Sequence, residues 1–166
     1  IPTGIDVHSV IPYRNNSAPI IDQRKLVWVG FPENLHYTAK LFPILRKHQL
    51  RLRIISRADT SVLSIVRENE DILEFFPWEL TSVDRLISEC SLGIAPLNSD
   101  SWSQAKSAYK VLKYLSCGLD VVCDYSEEYD KINRELSGQI IAHDLSSWES
   151  KILTSDPLNK EQIRHV

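Results

Sequence analysis

Two kinds of hydrophobic pattern alternate along this chain. Short, nearly continuous apolar runs, as buried strands require, occur at Lys25 to Phe31, Leu50 to Ser56, Ile72 to Phe76, Leu92 to Pro96, Asp120 to Asp124 and Gln139 to Ala142. Between them, apolar residues recur every three or four positions. That spacing predicts helices over Asn34 to His48, Thr60 to Asn69, Ser82 to Cys90, Lys106 to Cys117, Glu127 to Leu136 and Ser146 to Leu153. Leu35, Ala39, Phe42 and Leu45, for example, share one face of the first. Strands joined by helices must run parallel and be covered on both faces, which predicts a doubly wound, Rossmann-like α/β sheet of about six strands. Residues 1–24, polar and proline-punctuated from Pro12 to Gln23, read as an opening segment and linker ahead of one domain over 25–166. Ligands of such sheets bind beyond the carboxyl ends of the strands. The segments to search are therefore Gly30 to Asn34, Ser56 to Asp59, Phe76 to Leu80, Pro96 to Lys110 and Asp124 to Glu128.

Composition narrows the function classes. With 43% hydrophobic and 25% charged residues the chain is ordinary for a globular domain, and no stretch approaches the roughly 20 apolar residues of a membrane span. A net charge of -3 gives no bulk attraction to nucleic acid or an anionic membrane, so any anion site is local. Cys90, Cys117 and Cys123 are odd in number, lack metal-type spacing and lie in apolar surroundings. They read as reduced, buried thiols, which leads to an expected cytoplasmic location. His8, His36, His48, His143 and His165 have no metal or triad spacing, and neither metal nor cofactor is expected. Only His36, two residues into its helix, stays as a weak site candidate. The chain contains no Met and opens inside the apolar run Ile-Pro-Thr-Gly-Ile-Asp, which reads as a piece of a larger protein.

The stretch Ser91 to Asp124 is the most informative. A strand ends at Pro96, a polar loop containing Asp100, Ser101 and Trp102 follows, and the next helix ends at Gly118, a residue suited to a left-handed cap. The start of that helix offers unpaired N–H groups and a positive dipole end, a ready phosphate site. Lys106 and Lys110, four apart and on one face, add positive charge there; two solvated surface lysines are the plainer alternative.

The run Leu-Gly-Ile-Ala-Pro-Leu, the Trp-containing loop and Lys-Ser-Ala-Tyr-Lys-Val-Leu-Lys-Tyr-Leu-Ser-Cys-Gly-Leu-Asp-Val-Val together resemble a known signature. It is that of the retaining, two-Rossmann-domain (GT-B) glycosyltransferases of the large "group 1", sucrose-synthase and mannosyltransferase-like family. The opening Ile1 to Asp6, the strand and glycine at Leu26 to Gly30, and Phe75 to Glu79 agree in the same order, so the likeness spans residues 1 to about 150. The resemblance implies the C-terminal, donor-binding domain of an enzyme that moves a sugar from a nucleoside-diphosphate sugar to a glycan or lipid-linked acceptor, as in polysaccharide biosynthesis. It places the diphosphate at the Ser107, Ala108 and Tyr109 amides, with Lys106 and Lys110 as charge partners. The base falls beside Pro77 and Trp78, although Trp78 also reads as core packing. The implied partners are the nucleotide sugar and an N-terminal acceptor domain of the same protein. Membrane association would come only through other parts, and the piece alone should not transfer sugar.

The chain also departs from the family pattern. The usual glutamate pair falls on Ala105 and Lys113, leaving Lys113 as only a possible donor to a ribose hydroxyl. The cations common after the first strand are missing from Phe31 to Leu35. Glu127 and Glu128 read either as ligands for hydroxyl groups or as ordinary first-turn acids of a helix. Two other readings stay open: a degenerate, non-catalytic module for partner binding, and a nucleotide-sugar epimerase-like domain needing carboxylates and a His in its cleft.

Overall fold

The computed structural model describes residues 25–98 and 107–155. Strands β1 (Lys25–Val29), β2 (Arg51–Ser56), β3 (Leu73–Pro77), β4 (Leu92–Ala95), β5 (Asp120–Asp124) and β6 (Ile141–Ala142) form one sheet ordered β3-β2-β1-β4-β5-β6, with every pair parallel. From β1, inside the sheet, the chain winds outward one way to β3, returns to β4 beside β1, and winds out the other way. A 3-10 helix (Pro32–Leu41) running into α1 (Phe42–Lys47), with α2 (Thr60–Glu68) and α6 (Leu145–Thr154), packs one apolar cluster around Trp28, Leu35, Ile54 and Trp148. Helices α3 (Val83–Ser88), α4 (Tyr109–Ser116) and α5 (Glu127–Glu135) close the other face over Val27, Val121 and Tyr114. The fold is the expected doubly wound parallel α/β sheet.

Element borders differ from the sequence reading for identifiable reasons. The helix expected over Asn34 to His48 begins as ten residues of 3-10 helix and turns α-helical only at Phe42. Pro43 has no N–H to return to residue 39, and the Phe42 amide instead bonds the Ala39 carbonyl, one residue tighter than an α-helical bond. The helix expected from Lys106 starts at Tyr109, and Lys106 itself lies outside the described residues. Its other end follows the glycine reading: Gly118 has φ 83°, its amide bonds the Leu115 carbonyl, and the Leu119 amide bonds Tyr114. One buried strand position carries a full charge inside an apolar run. Arg53 in β2 is 4% exposed and bonds Glu74 at 2.7 Å, Glu89 at 2.8 Å and the Leu86 carbonyl at 2.8 Å.

Candidate functional site at the sheet's switch point

β1 and β4 are neighbours from which the chain winds in opposite directions, and their separation opens a crevice at the carboxyl edge. They pair only at Leu26↔Leu92 and Val27↔Gly93. Beyond that register Tyr114 from α4 stands in for the ladder. Its hydroxyl accepts from the Val29 amide at 2.9 Å and donates to the Ile94 carbonyl at 3.2 Å. Burial pushes this phenol well above its ordinary value, so it stays a neutral donor and acceptor. Gly93 makes the insertion possible, because a Cβ there would lie 2.3 Å from Tyr114 Cγ.

Above this wedge lie Gly30, Trp28 and Lys110. The Lys110 ammonium sits 4.8 Å from the centre of the buried Trp28 ring. A Cβ on Gly30 would stand 3.2 Å from that ammonium and 2.6 Å from Trp28 Cζ2. The reading that paired Lys110 with a local anion site therefore falls at the switch point. The amides of the first turn of α4 belong to Tyr109, Lys110 and Val111, which have no carbonyl one turn earlier inside the helix. This shifts the expected amide set: of Ser107, Ala108 and Tyr109, only Tyr109 belongs to the turn, and Ala108 occupies the cap position without a side-chain bond. The helix start after β1, with Phe31 in its cap position, also lacks a side-chain cap. By contrast α2, α5 and α6 are capped by Asp59, Ser126 and Asp144.

The other candidates separate clearly. Pro77 ends β3 opposite Ser56, and Trp78, 49% exposed, leaves the core and projects at the sheet edge; core packing is not its role. Phe31, Leu80, Tyr109 and Tyr125 are likewise exposed just past strand ends or at the α4 start. Lys113 forms an ion pair with Asp84 of α3 at 2.5 Å, both side chains 13% exposed, so its ammonium is committed to a carboxylate. Glu127 and Glu128 occupy the first turn of α5, with Glu128 paired to Lys131. His36 is exposed and stands edge-on to Tyr37. Neither glutamate nor His36 joins the Lys110 group in any described contact.

Sequence reasoning missed a second constellation at this edge. Asp124, ending β5, accepts from Lys40 at 2.5 Å, from the Leu97 amide at 2.7 Å and from the Trp148 indole at 2.9 Å. Lys40 also reaches the Leu97 carbonyl at 3.3 Å. The carboxylate thereby ties the 3-10 helix and α6 to the backbone just past β4. The only advance signal was the place of Asp124 at a strand end; nothing in the spacing pointed to Lys40. A concavity of about 400 Å³ lies elsewhere, between Asp120 at the start of β5, Gln139 and Lys151, among none of these residues. Among the described residues, no three His, Cys, Asp or Glu side chains gather to hold a metal ion, and no helix is long and apolar enough to cross a membrane.

No protein-family model matches the chain, and no curated protein matches it. Among solved structures it is similar to AviGT4, described as a glycosyltransferase involved in Avilamycin A biosynthesis, with a TM-score of 0.66 and 15% sequence identity. The match covers 99% of this chain and 51% of that one, so this chain spans about half the length of its structural neighbour. At that identity the likeness concerns the fold alone: the doubly wound sheet seen here resembles that of about half of the AviGT4 chain.

Proposed function

We propose that the chain is the donor-binding domain of a glycosyltransferase that takes a nucleoside-diphosphate sugar. The observation that carries this reading is the Lys110 ammonium beside Gly30 at the β1/β4 switch point, in the first turn of α4, which has no side-chain cap. A diphosphate laid across that point meets a cation and backbone N–H groups together. The same groups stabilise the charge that grows on the diphosphate as the sugar leaves. The sequence resemblance would add Lys106 as a second cation, and Pro77 with Trp78 forms an apolar wall for the base. On this reading the acceptor and the remaining catalytic groups lie on a further domain, a reading supported by the chain matching about half of its structural neighbour.

A non-catalytic module of the same fold is the second reading. It is favoured by Lys113, which stands where the family carries a carboxylate and is engaged with Asp84. Titration calorimetry of the 166-residue chain with UDP, GDP and ADP separates the two. The donor reading expects saturable binding of one nucleotide, weakened about tenfold or more by Lys110→Ala through loss of one charge-assisted contact. Absence of binding to all three at millimolar concentration would sink it in favour of the module.

A further inference from the structure

We infer that Trp28 is a positioning residue, whose indole face fixes the Lys110 ammonium at the end of β1 before any anion arrives. This rests on the donor-site reading and adds to it the means by which its cation is held. Trp28 lies on β1 with no exposed surface, a place that purely apolar side chains ordinarily fill. The indole N–H is buried and has no hydrogen-bond partner among the described residues, a cost that Leu or Phe would not carry. Position 28 thus keeps a polar atom it does not use, and what Trp offers beyond bulk is the aromatic face most attractive to a cation. That face is the one over which Lys110 stands, at 4.8 Å.

Gly30 completes the fit. A side chain two residues beyond Trp28 would press on the ring at 2.6 Å and crowd the ammonium at 3.2 Å, so ring and cation share the space that the glycine leaves. A flexible lysine at a helix start samples many rotamers in water. One resting on a buried ring samples few, and less freedom is lost when a phosphate binds. The arrangement also supplies a cation at the end of β1 from α4, although residues 31–35 contain none.

The test is a double-mutant cycle on the full 166-residue chain, with inorganic pyrophosphate as the probe so that the base plays no part. Trp28→Leu and Trp28→Phe are titrated alone and together with Lys110→Met, after circular dichroism establishes that each is folded. The expected result is that Trp28→Leu weakens pyrophosphate about three- to tenfold, the range of one partly desolvated cation–π contact. Trp28→Phe should keep most of the affinity, and in the Lys110→Met chain Trp28→Leu should add no further loss. An equal loss with and without Lys110 would overturn the positioning role and leave the donor site intact. Wild-type chain that binds neither pyrophosphate nor UDP, GDP or ADP would instead sink the donor-site reading, and the positioning role with it. Should Trp28→Leu fail to fold, the Lys110 side-chain methylene resonances of the wild type decide. Upfield ring-current shifts that move toward ordinary values in Trp28→Phe support the contact, and their absence overturns it.

Discussion

Gly93 and Tyr114 are fitted to one another, since any Cβ on Gly93 would lie 2.3 Å from Tyr114 Cγ and 2.8 Å from its Cβ. The ring has no room to retreat: it is fully buried, and its hydroxyl is bonded on both sides. Gly93→Ala is therefore expected to cost toward the upper end of the roughly 1–3 kcal/mol typical of an overpacked core. For a chain of this length that lowers the thermal midpoint by several degrees. An unchanged midpoint in calorimetry would show that the sheet shifts freely at β4.

Removing only the hydroxyl tests the other half of the wedge. Tyr114→Phe leaves the Val29 amide and the Ile94 carbonyl without their shared partner, at a cost of about 1–3 kcal/mol for a buried group left unsatisfied. Hydrogen exchange at Val29 should accelerate more than at Val27, whose strand pairing does not involve the hydroxyl. Equal protection at both amides would mean that water replaces the phenol.

The alternation of apolar runs and helical spacing carried most of this architecture, because a parallel sheet covered on both faces forces a buried strand and an amphipathic helix to take turns. It missed what the sheet does in three dimensions. Pro43 lies inside a perfectly helical spacing, so only its missing N–H reveals the change from 3-10 to α helix. Arg53 sits in an apolar run and reads as an exception until Glu74 and Glu89 are seen to meet it. At the site, Lys110 was legible as a cation near a helix start, whereas Trp28 stood only as one position of the strand run Lys25 to Phe31. Its contact with Lys110 joins residues far apart in sequence, and no local pattern encodes that. Lys106, Trp102 and the opening segment lie outside the described residues.

Asp124 holds three donors from three elements with one carboxylate, so its replacement should be felt at all three. Asp124→Ala is expected to cost at least the roughly 1.5–3 kcal/mol of one hydrogen bond to a charged group. Asp124→Asn should cost less, since an amide oxygen still accepts but no longer balances Lys40. Urea unfolding gives the ranking, and the Trp148 indole N–H resonance reports whether that bond survives. Equal midpoints for wild type and Asp124→Ala would mean that the Lys40 and Trp148 contacts contribute no net stability.

The thiols provide a separate check on the core. Burial pushes Cys90 up to about 12 and Cys123 higher still, which leaves no reactive thiolate at neutral pH. All three cysteines are buried, and none is joined in a disulfide. A thiol-reactive dye should label the native chain only on the timescale of unfolding and label three groups at once in denaturant. Rapid labelling of even one thiol in the native chain would contradict the packing around it.

Acid should unfold this domain partly through its helix caps. Hydrogen bonds from the Ser61 hydroxyl and then the Val62 amide hold the Asp59 carboxyl below its ordinary value, and the Ser147 amide and hydroxyl do the same for Asp144. A carboxyl that is more acidic in the folded state is protonated first in the unfolded chain. Its stabilising effect is complete above the unfolded value of about 3.9 and is lost as pH falls through the lower folded value. Stability should therefore change little through these two groups from pH 7 down to about 4 and drop below that. Asn caps a helix nearly as well as Asp and does not titrate. Asp59→Asn combined with Asp144→Asn should thus match wild type near neutrality and lose less stability below pH 4. Urea midpoints across that range that fall in parallel for both chains would assign the acid sensitivity to other carboxylates, with Asp71 beside Arg46 the next to replace.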